Sequence, residues 1–269
     1  MKNKKGSIVL TLVIIIIWII TAGGGGWFLA FLESKKQTAT PLPPAHTYDE
    51  AVKIPTQNEK KASDKSIKLD EKASPKKEIV LPEETNLSIP FVLQAPNQNW
   101  VYPYEDFCEE ASVLMAASYL KNSPILNSND ADAKLLSIMD FEMKKFGYHK
   151  DTNIEETATI LRELYNLQKI EIVYNPSVNE IKIALAEGKA VVVPLAGREL
   201  KNPNFRSPGP LYHMLVIKGY DKNDNFITNE PGTRKGANYR YKTGIIMNAI
   251  HDWNNGDVYN GKKAVIIAG

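Results

Sequence analysis

The chain has a single cysteine, Cys108, in 269 residues. No intramolecular disulfide can form, and a zinc site built on paired cysteines is excluded. Four histidines (46, 149, 213 and 251) are scattered without metal-ligand spacing, so neither a metal nor another cofactor is expected. The chain also lacks an Arg-rich cluster or a basic-aromatic stripe. Its 33 Lys+Arg nearly match 31 Asp+Glu, for a net charge of +2, which argues against a nucleic-acid partner. Charge is absent altogether from residues 7–32. Aromatic residues are nearly absent from residues 33–88, where Tyr48 is the sole example.

The two impoverished stretches organise the chain. Residues 7–32 form, as a helix, a rod of about 39 Å at 1.5 Å per residue, enough to cross a hydrocarbon core of about 30 Å. Lys2, Lys4 and Lys5 precede it. Residues 1–6 are therefore expected in the cytoplasm, residues 7–32 as a transmembrane signal-anchor, and the rest outside the cytoplasm. A cleaved signal peptide is the alternative, since Ala22–Gly26 offers small residues. The second apolar block, Trp27–Leu32, favours the uncleaved anchor. Residues 33–88 carry 10 lysines, 10 acids and six prolines, a composition that buries too little apolar surface to offset chain entropy. A disordered linker is expected there, followed by one α+β domain over residues 89–269.

Within that domain, Ile89–Leu93 reads as extended. Asp106 reads as the cap of a helix from Phe107 to about Lys121, with Glu109 completing a capping box. The stretch Ala111–Leu120 has no charge, so the helix is expected to be buried on every side. Helices follow at Asp130–Phe146, at Asn153–Tyr165 and after Ser177, the last two with capping boxes to Glu156 and Glu180. Strands are expected at Lys169–Tyr174, Ala190–Leu195, Tyr212–Tyr220, Phe226–Asn229 and Lys263–Ala268. A further helix is expected at Gly244–Trp253.

Cys108 falls in the first turn of its helix, where unpaired N–H groups and the helix dipole favour a thiolate. Glu109 and Glu110 oppose this, so a nearby imidazolium is needed. A plain buried helix cysteine is the alternative. His213 is the best base candidate because it opens a strand, sharing a face with Leu215 and Ile217. Asn229 closes the return strand and could fix the His213 tautomer. Glu230 is the rival orienter, because a one-residue slip swaps the two faces. Gln94 could donate its amide to an oxyanion beside the Cys108 N–H. Two hypotheses for cleft walls are the loop 198–210 and the aromatics Trp100, Tyr102 and Tyr104.

The order Gln, Cys, His, Asn, with IPFVLQAP, CEEASVLMAASYL, HMLVIKGYD and TNEP, resembles the papain-like cysteine peptidases. It is more closely similar to the double-glycine (bacteriocin-processing) peptidases and their stand-alone relatives. The resemblance implies a helical part carrying Cys108 packed on an antiparallel sheet carrying His213 and Asn229. It implies hydrolysis of a peptide or protein substrate through a thioester. Two positions depart from the family pattern: Glu230 stands where Asn-Asp-Pro is usual, and Glu109 follows the cysteine where transporter-fused members carry Gly. Leader-peptide cleavage is therefore not implied. Acyl transfer or deamidation through the same thiol is the chemical alternative. A non-catalytic surface or cell-wall binding module with a relic site is the other.

Overall fold

The computed structural model describes residues 40–53 and 81–269. The signal-anchor expected at 7–32 and most of the expected linker lie outside the described residues. Among the described residues, no helix is long and apolar enough to cross a membrane. Pro43–Gly269 packs as one unit, which holds every element named below.

The described strands form a seven-stranded sheet: β1 (Thr85–Asn86), β2 (Ile170–Tyr174), β3 (Ala190–Ala196), β4 (Tyr212–Asp221), β5 (Asn225–Asn229), β6 (Tyr239–Lys242) and β7 (Ala264–Ala268). Its order is β2-β7-β3-β4-β5-β6, with β1 paired to β4, and each pairing is antiparallel. The helices are α1 (Tyr48–Lys53), α2 (Cys108–Leu120), α3 (Ser128–Lys145), α4 (Ile154–Thr159), α5 (Val178–Ala186) and α6 (Thr243–Ala249). The architecture is α+β, with α2 packed against β4.

β3, β4 and β7 are buried at every position, as the apolar runs of β3 and β7 require; β4 buries His213, Lys218 and Asp221 along with its apolar residues. α2 is buried everywhere except Leu120, in line with the charge-free run Ala111–Leu120, and its two first-turn acids, Glu109 and Glu110, are buried with it. The capping boxes at Asn153/Glu156 and Ser177/Glu180 both form. The helix after Asn153 changes character at Ile160, where Ile160–Leu164 continues it as a π-turn.

The expected cap of α2 does not form. Asp106 ends a short 3-10 turn (Tyr104–Asp106), so Phe107 becomes the N-cap and provides no side-chain cap. Asp106 instead pairs with Lys150 at 3.0 Å, and Glu109 turns its carboxyl to the Cys108 thiol.

Described parts of the stretch expected as a linker pack on the domain. α1 docks on the domain: Ala51 is buried, and Tyr48 meets Tyr119 edge-on at 5.7 Å. β1 lies beside β4, where Gly219 leaves it room. A Cβ at Gly219 would sit 2.2 Å from the Thr85 carbonyl oxygen. Residues 43–53 and 81–88 thus belong to the packed unit because a few apolar and backbone contacts hold them, which composition averaged over 33–88 conceals.

Candidate active site

Two elements meet at one cavity of about 1100 Å³. The first turn of α2 brings Cys108, and the start of β4 brings His213. Both line the cavity, with Gln94 and Trp100 on the same wall system. The loop 198–210 contributes Asn204, Phe205, Arg206 and Pro210, as the wall hypothesis expected. Of the three aromatics proposed as a second wall, Trp100 lines the cavity, whereas Tyr102 and Tyr104 do not. Tyr104 packs edge-on against Phe107.

His213 is buried, and its Nε2 lies 2.5 Å from Glu230 Oε1. The Phe205 ring packs edge-on against the imidazole at 5.2 Å. Glu230 is itself held. Gly232 N–H donates to Oε1 at 2.9 Å and Tyr241 O–H donates to Oε2 at 3.0 Å. The Asn202 amide donates to the Tyr241 oxygen at 2.6 Å. Burial, with the Glu230 carboxylate second, pushes the Tyr241 hydroxyl up, so it stays protonated and remains a donor. With Nε2 committed to Glu230, Nδ1 is the nitrogen left to accept a proton.

Asn229, the expected orienter, does not touch His213. Its amide donates to the Ile89 and Pro90 carbonyls at 2.9 and 3.0 Å, and its oxygen accepts from Asn238 N–H at 3.3 Å. The cause is register. Asp221 pairs with Asn225, and Gly219 with Ile227, but after an irregularity between Ile217 and Gly219 the next pairs are Ile217–Thr228 and Val216–Asn229. One extra residue on β4 shifts the parity. Asn229 therefore shares a face with Val216, opposite to that of His213, and the following residue, Glu230, turns to the histidine.

Gln94 stands at the cavity, but its amide is already engaged. Its nitrogen donates to Tyr104 O at 3.0 Å and Glu105 O at 2.9 Å. In this arrangement the side chain braces the turn before Cys108 rather than offering an oxyanion donor. The N–H of Cys108 stands at the first helical position, where a helix provides no acceptor.

The thiol of Cys108 donates to Glu109 Oε2 at 2.9 Å. Among the described residues, no hydrogen bond joins it to His213. Burial above all, then the Glu109 and Glu110 carboxyls, pushes the thiol well up, while the backbone of Met214 acts the other way. Burial also pushes Glu109 up. The opposition of Glu109 to a thiolate is legible from its place beside Cys108, whereas the roles of Tyr241 and Asn202 carry no sequence signal: their spacing from His213 fits no short motif.

A buried helix that opens on Cys108, set against an antiparallel sheet that carries His213, fits a cysteine peptidase-like domain. The family model of the Peptidase_C39 like family matches residues 86–258, and the chain belongs to that family. No curated protein matches the chain significantly. Among solved structures, one assigned as a C39-like peptidase from Bacillus anthracis is 12% identical, with a TM-score of 0.45, covering 71% of this chain and 97% of that one. A fragment of prointerpain A from Prevotella intermedia is 13% identical, with a TM-score of 0.34, covering 66% of this chain and 54% of that one.

Proposed function

We propose that this chain is a cysteine peptidase, held outside the cytoplasm by a membrane anchor at residues 7–32, that hydrolyses peptide bonds through Cys108, His213 and Glu230. The observation that supports this reading is that His213, hydrogen-bonded to Glu230 further along the chain, lines the same cavity as Cys108. The anchor rests on the uncharged run and the lysines before it.

His213 Nδ1 takes the proton of Cys108, and Glu230 stabilises the resulting imidazolium. The thiolate adds to the substrate carbonyl carbon, and the oxyanion faces the Cys108 N–H. The imidazolium then gives its proton to the leaving amine as the C–N bond breaks. Water, deprotonated by His213, hydrolyses the thioester and restores the thiol. Substrate must also draw the thiol away from Glu109, because a thiol hydrogen-bonded to a carboxyl is a poor nucleophile.

That last bond favours one second reading, a binding module whose thiol is a relic. Full-length protein and its Cys108→Ala variant, incubated with a mixed peptide library, separate the two. Cleavage lost in the folded variant supports the peptidase. If neither protein cleaves, iodoacetamide labelling of Cys108 decides. Slow labelling unaffected by His213→Ala indicates the relic.

A further inference from the structure

Three side chains that peptide hydrolysis does not use, Glu110, Glu142 and His149, converge in the interior. Glu110 lies on the first turn of α2, Glu142 on the last turn of α3, and His149 in the loop that follows α3. Glu110 and Glu142 are fully buried and His149 is 5% exposed. One donor atom from each lies within 4.8 Å of the others, and His149 Nδ1 is 3.5 Å from Glu110 Oε1.

All four carboxylate oxygens of Glu110 and Glu142, and His149 Nδ1, are buried without a hydrogen-bond partner. Interiors satisfy about nine in ten buried polar groups, so a cluster of such orphans, with one donor atom from each residue within 4.8 Å of the others, needs an explanation. Surface mobility does not provide one. The rings of Phe107 and Tyr102 pack against the imidazole at 5.8 and 5.7 Å and fix where it stands.

We propose that Glu110, Glu142 and His149 form a binding site for one divalent transition-metal ion, of the zinc or manganese kind. A dication balances two carboxylates and satisfies the orphaned atoms at once. Imidazole with two carboxylates suits zinc, manganese, iron or cobalt. Calcium would need six or more oxygens, which a buried three-residue cluster does not offer. Three protein ligands leave at least one position for water. The ion would tie together three elements: the turn bearing Cys108, the end of α3 and the His149 loop. The competing occupant is a proton shared by the two carboxyls.

Cobalt is the probe, because its spectrum reports its ligands. Full-length protein is stripped with chelator and titrated with Co²⁺, followed by visible absorption and thermal melting. The expected result is saturation at one ion per chain, d–d bands of a nitrogen–oxygen site, a raised melting temperature, and displacement by Zn²⁺. Glu142→Gln and His149→Gln, checked for folding by circular dichroism, should each weaken uptake at least tenfold. No saturable uptake by the folded wild type overturns the proposal, as does unchanged uptake in a folded variant. A thiolate-to-cobalt charge-transfer band also overturns it, since that places the ion on Cys108. Should both variants fail to fold, X-ray absorption of the wild-type cobalt complex decides. One imidazole with oxygens supports the site; sulfur or several imidazoles refute it.

Discussion

His213 Nε2 and Glu230 Oε1 stand 2.5 Å apart although the residues are 17 positions apart in the chain, and the neighbouring Asn229 faces the other way. The carboxylate, rather than an amide, is thus set to fix the ring and to balance its charge. Glu230→Gln keeps the shape and removes the charge. It is expected to lower kcat on the order of 10²–10⁴-fold with little change in KM. Asn229→Ala is expected to act on stability instead, costing about 1–3 kcal/mol because one buried and one half-buried carbonyl lose their donor. Steady-state kinetics and urea melts on both variants give the comparison. The reverse pattern would make Asn229 the orienter.

Gly232 presses on the same pair. A Cβ there would lie 3.1 Å from Glu230 Oε1, 3.1 Å from His213 Cε1 and 3.0 Å from Phe205 Cε1. Gly232→Ala is expected to shift the imidazole by a few tenths of an ångström and cut kcat about tenfold, with melting temperature nearly unchanged. Wild-type kcat in the variant would show that the pair tolerates the push.

Lys218 provides a test by pH. It is buried on β4, its ammonium donates to Asn238 Oδ1 at 2.9 Å, and burial pushes it down to about 8. The unfolded chain holds that proton up to about 10.4. Between pH 8 and about 10.4 the unfolded state therefore binds more protons than the folded one, and wild-type stability gains from rising pH. Below pH 8 the full penalty of the buried charge applies. Lys218→Met is expected to be more stable than wild type at pH 7, and the gap should close as pH rises to 10. A gap independent of pH, in urea unfolding, would contradict the assignment.

The close pass of β1 over Gly219 makes a further expectation. Gly219→Ala forces a Cβ to 2.2 Å from Thr85 O and 2.9 Å from Asn86 Cα. A loss of about 1–3 kcal/mol is expected as β1 is pushed from β4. Hydrogen exchange at Leu87 N–H, which donates to Lys218 O at 2.7 Å, should speed up. Unchanged protection there would mean that β1 is dispensable.

Much of this arrangement is legible in the chain. The charge-free run after Cys108 marks a buried helix, and the apolar run opened by His213 marks a central strand. Sequence does not tell Glu230 and Asn229 apart, and the reason is specific. Carried straight through from Asp221–Asn225, the ladder would have set Asn229 against Ile217, on the face of His213. The single irregularity near Lys218 moves it to Val216. Nothing in IKGYD announces that bulge except a glycine. Asp106 resembles a cap because it precedes the helix by two residues, but the 3-10 turn that it ends consumes the position. The Glu110, Glu142 and His149 cluster joins residues 32 and 7 positions apart, a spacing that a short ligand motif does not contain.

Docking of α1 changes what a protease could do to this chain. Both ends of the segment 54–80 are tied to the packed unit, α1 at one side and β1 at the other. A cut within 54–80 therefore nicks the molecule without shedding it, because α1 stays held by Ala51 and Tyr48. A cut ahead of α1, by contrast, would separate the packed unit from whatever precedes it.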